Sequence, residues 1–468
     1  MSPGVQRMAG VDAGFLYMET PTIHMHTLKV SIVDVSTAPG GYSFDLVKAE
    51  LLDRLHLLPP FRRRAMKVPF QLHHPVWVED RDIDPDEHVF LDQVPAPGTM
   101  RELEDVIGRI ASTPLRRDLP LWELHVCEGL ADGRVAVVAK MHHALADGVA
   151  ANALLGNITD LSPEGKGAPR EGTWSPEPTP EKPALARWAL LDAIKQIAWL
   201  PGLLWRTLSS LFAVAQHKRG SDIATPRPVL DTPRTSFNGH ITARRNFATT
   251  TLPIEDFKRV KKAHGVTLND VVLATVGGAL RTWMDAHGEH PTSSLLAGVP
   301  MSTDAPGSAP RLGGNAVANM FTTLGTTIDD PVARLLHVSR ITSEVKVVQH
   351  KLGLKMLEDW WQFTPPAPFN ALMRAYSHLK GADYHAAPFN VVVSNVPGPT
   401  FPVWIAGARL TGLYSVGPIL QGIGLNVTVW SYLEDMNFSL LACPDLLPDL
   451  REIADGLSGA LQDLLDAS

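Results

Sequence analysis

At 468 residues, with 45% hydrophobic and 19% charged side chains, the chain has the composition of a folded globular protein, and its length suggests two to four domains. A formal charge of −7 argues against nucleic-acid binding, which wants a basic face, although Arg62-Arg63-Arg64 form a local basic run. Two distant cysteines, Cys127 and Cys443, exclude a disulfide framework and a cysteine-built zinc site, and fit a reducing compartment.

The start, MSPGVQRMAG, lacks the basic segment and apolar stretch of a secretory signal. No charge-free apolar run reaches the ~18 residues that span a bilayer. A place on the cytoplasmic side is therefore expected. Leu28, Val30 and Ile32 alternate with their neighbours and predict a strand. Ser43 is placed to cap a helix whose apolar face is Phe44, Val47, Leu51 and Leu55, ended by Pro59-Pro60. Leu121–Val126 reads as a second strand. After the Asp132-Gly133 turn, Val135–Met141 is apolar on nearly both sides, the mark of a strand inside a sheet. A helix is expected after Gly148.

From Asp160 to Pro183 the pattern breaks, with Pro163, Pro169, Pro176, Pro178, Pro180 and Pro183 predicting an extended linker. Ala184–Arg219 follows, mostly apolar, with Trp188, Trp199 and Trp205 and more basic than acidic residues. Pro201-Gly202 predicts its division into two short helices, packed on the domains or lying on lipid. A second irregular stretch runs from Ser221 to Ser236. Beyond it, Leu268–Ala286 is a helix with Leu268, Val272, Val276, Leu280 and Trp283 on one face. Strands are expected at Asn390–Ser394, Gly424–Tyr432 and Met436–Ala442, the last two as a hairpin across Glu434-Asp435. The organisation predicted is mixed α/β: a first domain over 1–160, a linker over 161–236 and a second domain over 237–468.

The chemistry-bearing stretch is His142-His143-Ala144-Leu145-Ala146-Asp147-Gly148, directly after the buried strand. A neutral imidazole, with an ordinary pKa of ~6.5, can take a hydroxyl proton at neutral pH. Adjacent strand residues point oppositely, so only one of the two histidines can face a given cavity. The same divergence disfavours a metal site, and no third ligand lies at suitable spacing. Asp147 is expected to hold the loop by accepting hydrogen bonds or pairing with an arginine, and Gly148 to allow a tight turn into the next helix. The other pair, His73-His74, has no Asp-Gly after it. No serine sits in a G-x-S-x-G elbow.

HHALADG resembles the HHxxxDG motif of CoA-dependent acyltransferases and peptide-synthetase condensation domains, in which the second histidine is the base. Further segments resemble the wax ester synthase/acyl-CoA:diacylglycerol acyltransferases: Asp12–Glu19 with His24-Met25-His26, Pro120-Leu121-Trp122, Asn269-Asp270, Arg311–Asn315, Ser394–Pro399 and Gly422–Tyr432. The resemblance implies two chloramphenicol-acetyltransferase-like domains with a tunnel between them. It implies transfer of a fatty acyl group from acyl-CoA to diacylglycerol or a long-chain alcohol, with His143 as base and no resident cofactor or metal. Gly148, Asn269, Glu19, Ser394 and Asn395 are candidates for contact with substrate. Several of the matching segments have a plainer reading: Asp270 with Thr267 forms a helix capping box, Trp122 is core, Glu19 is a solvated carboxylate, and Ser394-Asn395 with Pro397-Gly398 is a turn. The partners implied are acyl-CoA, a lipid alcohol and a membrane or lipid-inclusion surface. A carrier-protein-dependent condensation-type enzyme and a non-catalytic lipid-binding protein are the alternatives.

Overall fold

The computed structural model describes residues 5–80, 83–165, 178–305 and 307–468, so Pro169 and Pro176 of the expected linker lie outside the described residues. The first half contains β1 (Val5–Arg7), α1 (Gly10–Met18), β2 (His26–Asp34), α2 (Phe44–Arg54), β3 (Arg63–Met66), β4 (Val76–Glu79), β5 (Val89–Gln93), α3 (Met100–Ser112), β6 (Trp122–Glu128), β7 (Val135–His142) and α4 (Gly148–Ile158). A long α5 (Lys182–Gly220) leads to β8 (Asn246–Pro253), α6 (Ile254–His264), α7 (Leu268–Ala286), β9 (Leu296–Ser302), β10 (Val317–Thr323) and α8 (Pro331–Leu352). Then come α9 (Met356–Trp361), α10 (Pro366–His378), β11 (Val391–Val396), β12 (Trp404–Ile405), β13 (Ala408–Val416), β14 (Leu425–Tyr432), β15 (Asp435–Ala442) and α11 (Leu450–Asp466).

Two six-stranded sheets organise these elements, in the orders β12-β13-β2-β7-β6-β5 and β10-β9-β11-β14-β15-β8. Period-2 alternation gives each strand two jobs. In β2, Leu28, Val30 and Ile32 pack with Leu103, Val106 and Ile107 of α3, while Thr27 and Lys29, with Met25 just before the strand, turn toward a cavity on the opposite face. In the second sheet, Val391, Val393, Val427 and Val429 enter the core beneath α7, α8 and α11. Val392, Ser394, Val396, Asn426 and Thr428 face the same cavity from the other lobe.

The sheets do not follow the division at 160 and 237. β13 lies antiparallel to β2, with Tyr414 opposite Val30, so the second half supplies two strands to the first sheet. β12 also meets the end of the first segment: the amides and carbonyls of Asp160 and Trp404 bond reciprocally at 2.8 and 3.0 Å. Proximity in sequence predicts neither contact. The hairpin between β14 and β15 turns at Leu433-Glu434, with Tyr432 paired to Asp435, one residue earlier than expected.

α5 is a single helix through Pro201, not two. Proline removes one helical donor and crowds the preceding turn, at a cost of ~3 kcal/mol. Tertiary anchors along the helix hold it in line: Asp192 pairs with Arg7 at 3.1 Å, Thr207 accepts from the Trp360 indole at 3.0 Å, and His217 meets Glu344 at 2.8 Å. One 18-residue window of α5 is long and apolar enough to cross a membrane, by length and composition only. Arg62 and Arg64 lie 3.7 Å from Glu79 and Asp80, so the basic run is locally neutralised.

Candidate active site

β7 runs antiparallel to β2, pairing His142 with His26, and its chain then leaves the sheet. The His143 amide donates to the Met25 carbonyl at 2.7 Å, which fixes the backbone where the strand ends. The two rings diverge as the strand alternation requires. His142 is buried, and its Nδ1 accepts from the Ala144 amide at 3.0 Å, so its proton sits on Nε2, toward Glu19. Glu19 lies 3.6 Å from that nitrogen and 2.7 Å from Arg117. Burial opposes ionisation of Glu19, but His142 and Arg117 hold its carboxyl below the ordinary range.

His143 has the opposite arrangement. Its Nδ1 is 2.9 Å from Oδ1 of Asn315. The Asn315 amide nitrogen is committed elsewhere, donating to Asp12 Oδ1 and to the His143 carbonyl, both at 2.8 Å. Oδ1 is thus the acceptor, the imidazole proton lies on Nδ1, and Nε2 keeps its lone pair. Phe15 stacks on the ring with centroids 4.2 Å apart. Burial pushes the His143 pKa down to about 4, against the attraction of Asp147, so the ring is neutral at pH 7. Burial likewise raises Asp12 to about 7, although the hydrogen bonds from Asn315 act in the other direction.

Asp147 ties this loop to the other lobe. Its Oδ1 caps α4 by accepting from the Ala150 amide at 2.9 Å. Its Oδ2 accepts from Arg311 at 2.7 Å and from the Ala316 amide at 2.8 Å. Gly314, at φ +74°, makes the left-handed turn that swings Asn315 toward His143. The loop-holding role expected of Asp147 is present, with Arg311 as the arginine. Gly148 differs from expectation: its φ is not positive, and what excludes a side chain is Val396 of the facing lobe, 3.0 Å from where a Cβ would stand.

His143 faces a cavity of about 300 Å³ between the lobes, with Asp147, Gly148 and Ser394 also in its wall. Ser394 and Asn395 are strand residues of β11 rather than a turn, and of the two only Ser394 reaches this wall. Glu19 lines a separate cavity of about 960 Å³ behind His142. Asn269 sits at the start of α7 and does not line the His143 cavity. Asp270 completes the capping box with Thr267 at 2.9 and 3.2 Å. Trp122 is core, stacked between Phe61 and His88 with its indole bonded to the Phe61 carbonyl, and Leu121 receives the His142 amide at its carbonyl. Pro120 precedes them at the start of β6. Among the described residues no group of three or more His, Cys, Asp or Glu is placed to hold a metal ion. Asn315, Asp12, Phe15 and Arg311 stand within the segments singled out in the sequence, but only their meeting in space gives them roles.

The model of the wax ester synthase/diacylglycerol acyltransferase catalytic domain matches residues 8–272, and that of the family's C-terminal domain matches 313–465. The chain belongs to this family. It is accordingly an O-acyltransferase, with the two-lobed α/β fold expected. A Mycobacterium tuberculosis protein bearing a diacylglycerol O-acyltransferase name is 38% identical over 453 residues, covering 97% of this chain and 94% of its own. A second from that organism is 36% identical, covering 100% and 92%. The wax ester synthase/diacylglycerol acyltransferase from Marinobacter aquaeolei VT8 has a TM-score of 0.67 at 26% identity over 98% of both chains. The first condensation domain of the CDA synthetase, at 14% identity and TM-score 0.56, covers 100% of this chain and 97% of its own and shares the fold.

Proposed function

We propose that this family member transfers a fatty acyl group from acyl-CoA to the hydroxyl of diacylglycerol or a long-chain alcohol, with His143 as general base. The observation that carries the assignment is the proton arrangement of His143: Nδ1 is held by Asn315, and Nε2 is left as a free base on the cavity side. Nε2 takes the hydroxyl proton as the oxygen attacks the thioester carbon. The tetrahedral intermediate collapses, the C–S bond breaks, and the CoA thiolate recovers the proton from Nε2. The ester and free CoA leave. This sequence of steps calls on no covalent enzyme intermediate, resident cofactor or metal. Release of CoA from palmitoyl-CoA, dependent on added diacylglycerol, tests it; hexadecanol in parallel reports acceptor preference. CoA release at the same rate without any acceptor would overturn the reading.

The acceptors are membrane-dissolved, and α5 supports delivery from a lipid surface. Leu190, Ile194, Ile197, Leu204, Leu208 and Leu211, at spacings of three, four and (across Pro201) seven residues, are exposed along one stripe. Trp205 and Phe212 beside it are 74% and 69% exposed. Polar anchors toward both ends pin α5 to the body of the protein, which favours an in-plane position over a span. The expectation of packing and lipid contact on different faces is retained in this form.

A further inference from the structure

Beside the His143 cavity lies a narrower one, between the first sheet and the helices α2 and α4. Its wall is built from Val137, Ala139 and Met141 of β7, Leu51 of α2, and Ala151 and Leu154 of α4. Lys29 lines both cavities. Its ammonium group donates to the Ser415 hydroxyl on the His143 side and stands 4.7 Å over the Trp430 ring on the apolar side. At the far end Arg54 is held by Glu50 at 3.1 Å, by Asp160, and by the Ile158 carbonyl at 2.9 Å.

We propose that this slot takes the distal part of the donor's acyl chain, with Lys29 and Trp430 as its neck and the Arg54–Asp160 pair as its stop. The proposal rests on the acyltransferase reading and deepens it. A fatty acyl chain is pure hydrocarbon directly from the reacting carbonyl onward, so it can leave His143, pass one polar neck and lie among side chains that are mostly apolar. Diacylglycerol carries ester oxygens next to its hydroxyl, which an apolar slot leaves without hydrogen-bond partners. Each methylene that reaches the slot strengthens binding by about fourfold until the chain meets the stop.

Filling the slot tests this. In Ala151→Phe, kcat/KM for palmitoyl-CoA at fixed diacylglycerol is expected to fall at least tenfold, while that for butyryl-CoA stays within threefold. Ala139→Leu, a smaller insertion, is expected to shift the same ratio in the same direction and decides the matter if Ala151→Phe does not fold. Equal loss at both donor lengths overturns the proposal. So does a change that follows the length of an alcohol acceptor at fixed donor, which would give the slot to the other substrate. Should the wild-type protein turn over no acyl-CoA, the acyltransfer reading itself fails. Calorimetry then still judges the slot: tighter binding of palmitoyl-CoA than of butyryl-CoA in the wild type, abolished in the variants, supports it, and no dependence on length refutes it.

Discussion

His142 and His143 are neighbours in sequence with their protons on opposite ring nitrogens, because one ring accepts from a backbone amide and the other donates to Asn315. Replacing His143 by Ala is expected to lower kcat by ~10²–10⁴-fold, the share of a positioned general base, with the protein still folded by circular dichroism. Retained turnover would refute its role. Asn315→Leu leaves the ring in place but removes the acceptor that fixes its tautomer. A ~10–10²-fold loss in kcat with KM within threefold is expected, since the residue orients the base rather than binding substrate. Because burial lowers the His143 pKa to about 4, the base stays neutral well below pH 6. Its acid limb in kcat/KM should therefore lie near pH 4, and a limb near 6.5 that vanishes in His143→Ala would contradict this. The histidine motif was readable in the sequence because its chemistry is contiguous. Asn315, 172 residues away from His143, was not: it stands in a recognised segment, but its function depends on which lobe it faces.

Among the elements, strands and helices with strong periodicity matched expectation closely, Leu268–Ala286 most of all. The chain's long helix did not, because local sequence weighs Pro201 against a single turn, whereas the folded protein weighs it against side-chain anchors on both sides of the break. The exposed stripe of α5 makes a prediction of its own. Trp205→Ser combined with Leu208→Ser is expected to cut binding to phosphatidylglycerol vesicles at least tenfold, since burying each large apolar side chain is worth ~1.5–3 kcal/mol. Vesicle co-sedimentation measures it, and undiminished binding would remove α5 from the membrane contact.

For the molecule as a whole, the lobes meet through charge as well as strand exchange. Arg311→Ala strips the Asp147 carboxylate of its cross-lobe partner and should cost about 3 kcal/mol in urea unfolding, the lower end for breaking a largely buried pair. Stability should also depend on acid. Burial lowers His74 and His143 to about 4 and His26 well below its ordinary value, so between pH ~6.5 and 4 the unfolded chain binds more protons than the folded one. Stability from these rings is present above 6.5 and drains away as pH falls through that window, and the lowered His24, His73, His88 and His142 add to the trend; Asp12, raised by burial to about 7, opposes it together with the raised Glu104, Glu358, Asp359, Asp435 and His125. The melting temperature is expected to drop steadily from pH 7 to 5, and a flat profile would argue against neutral buried imidazoles.

During synthesis, the first sheet stays short of its β12–β13 edge until residues beyond 400 have left the ribosome, although its other four strands are complete by residue 142. An early fragment would carry the bare side of β2, an open invitation to pair with another chain. Separately expressed halves, cut in the 166–177 stretch, should thus be insoluble alone and recover as a stable complex when made together.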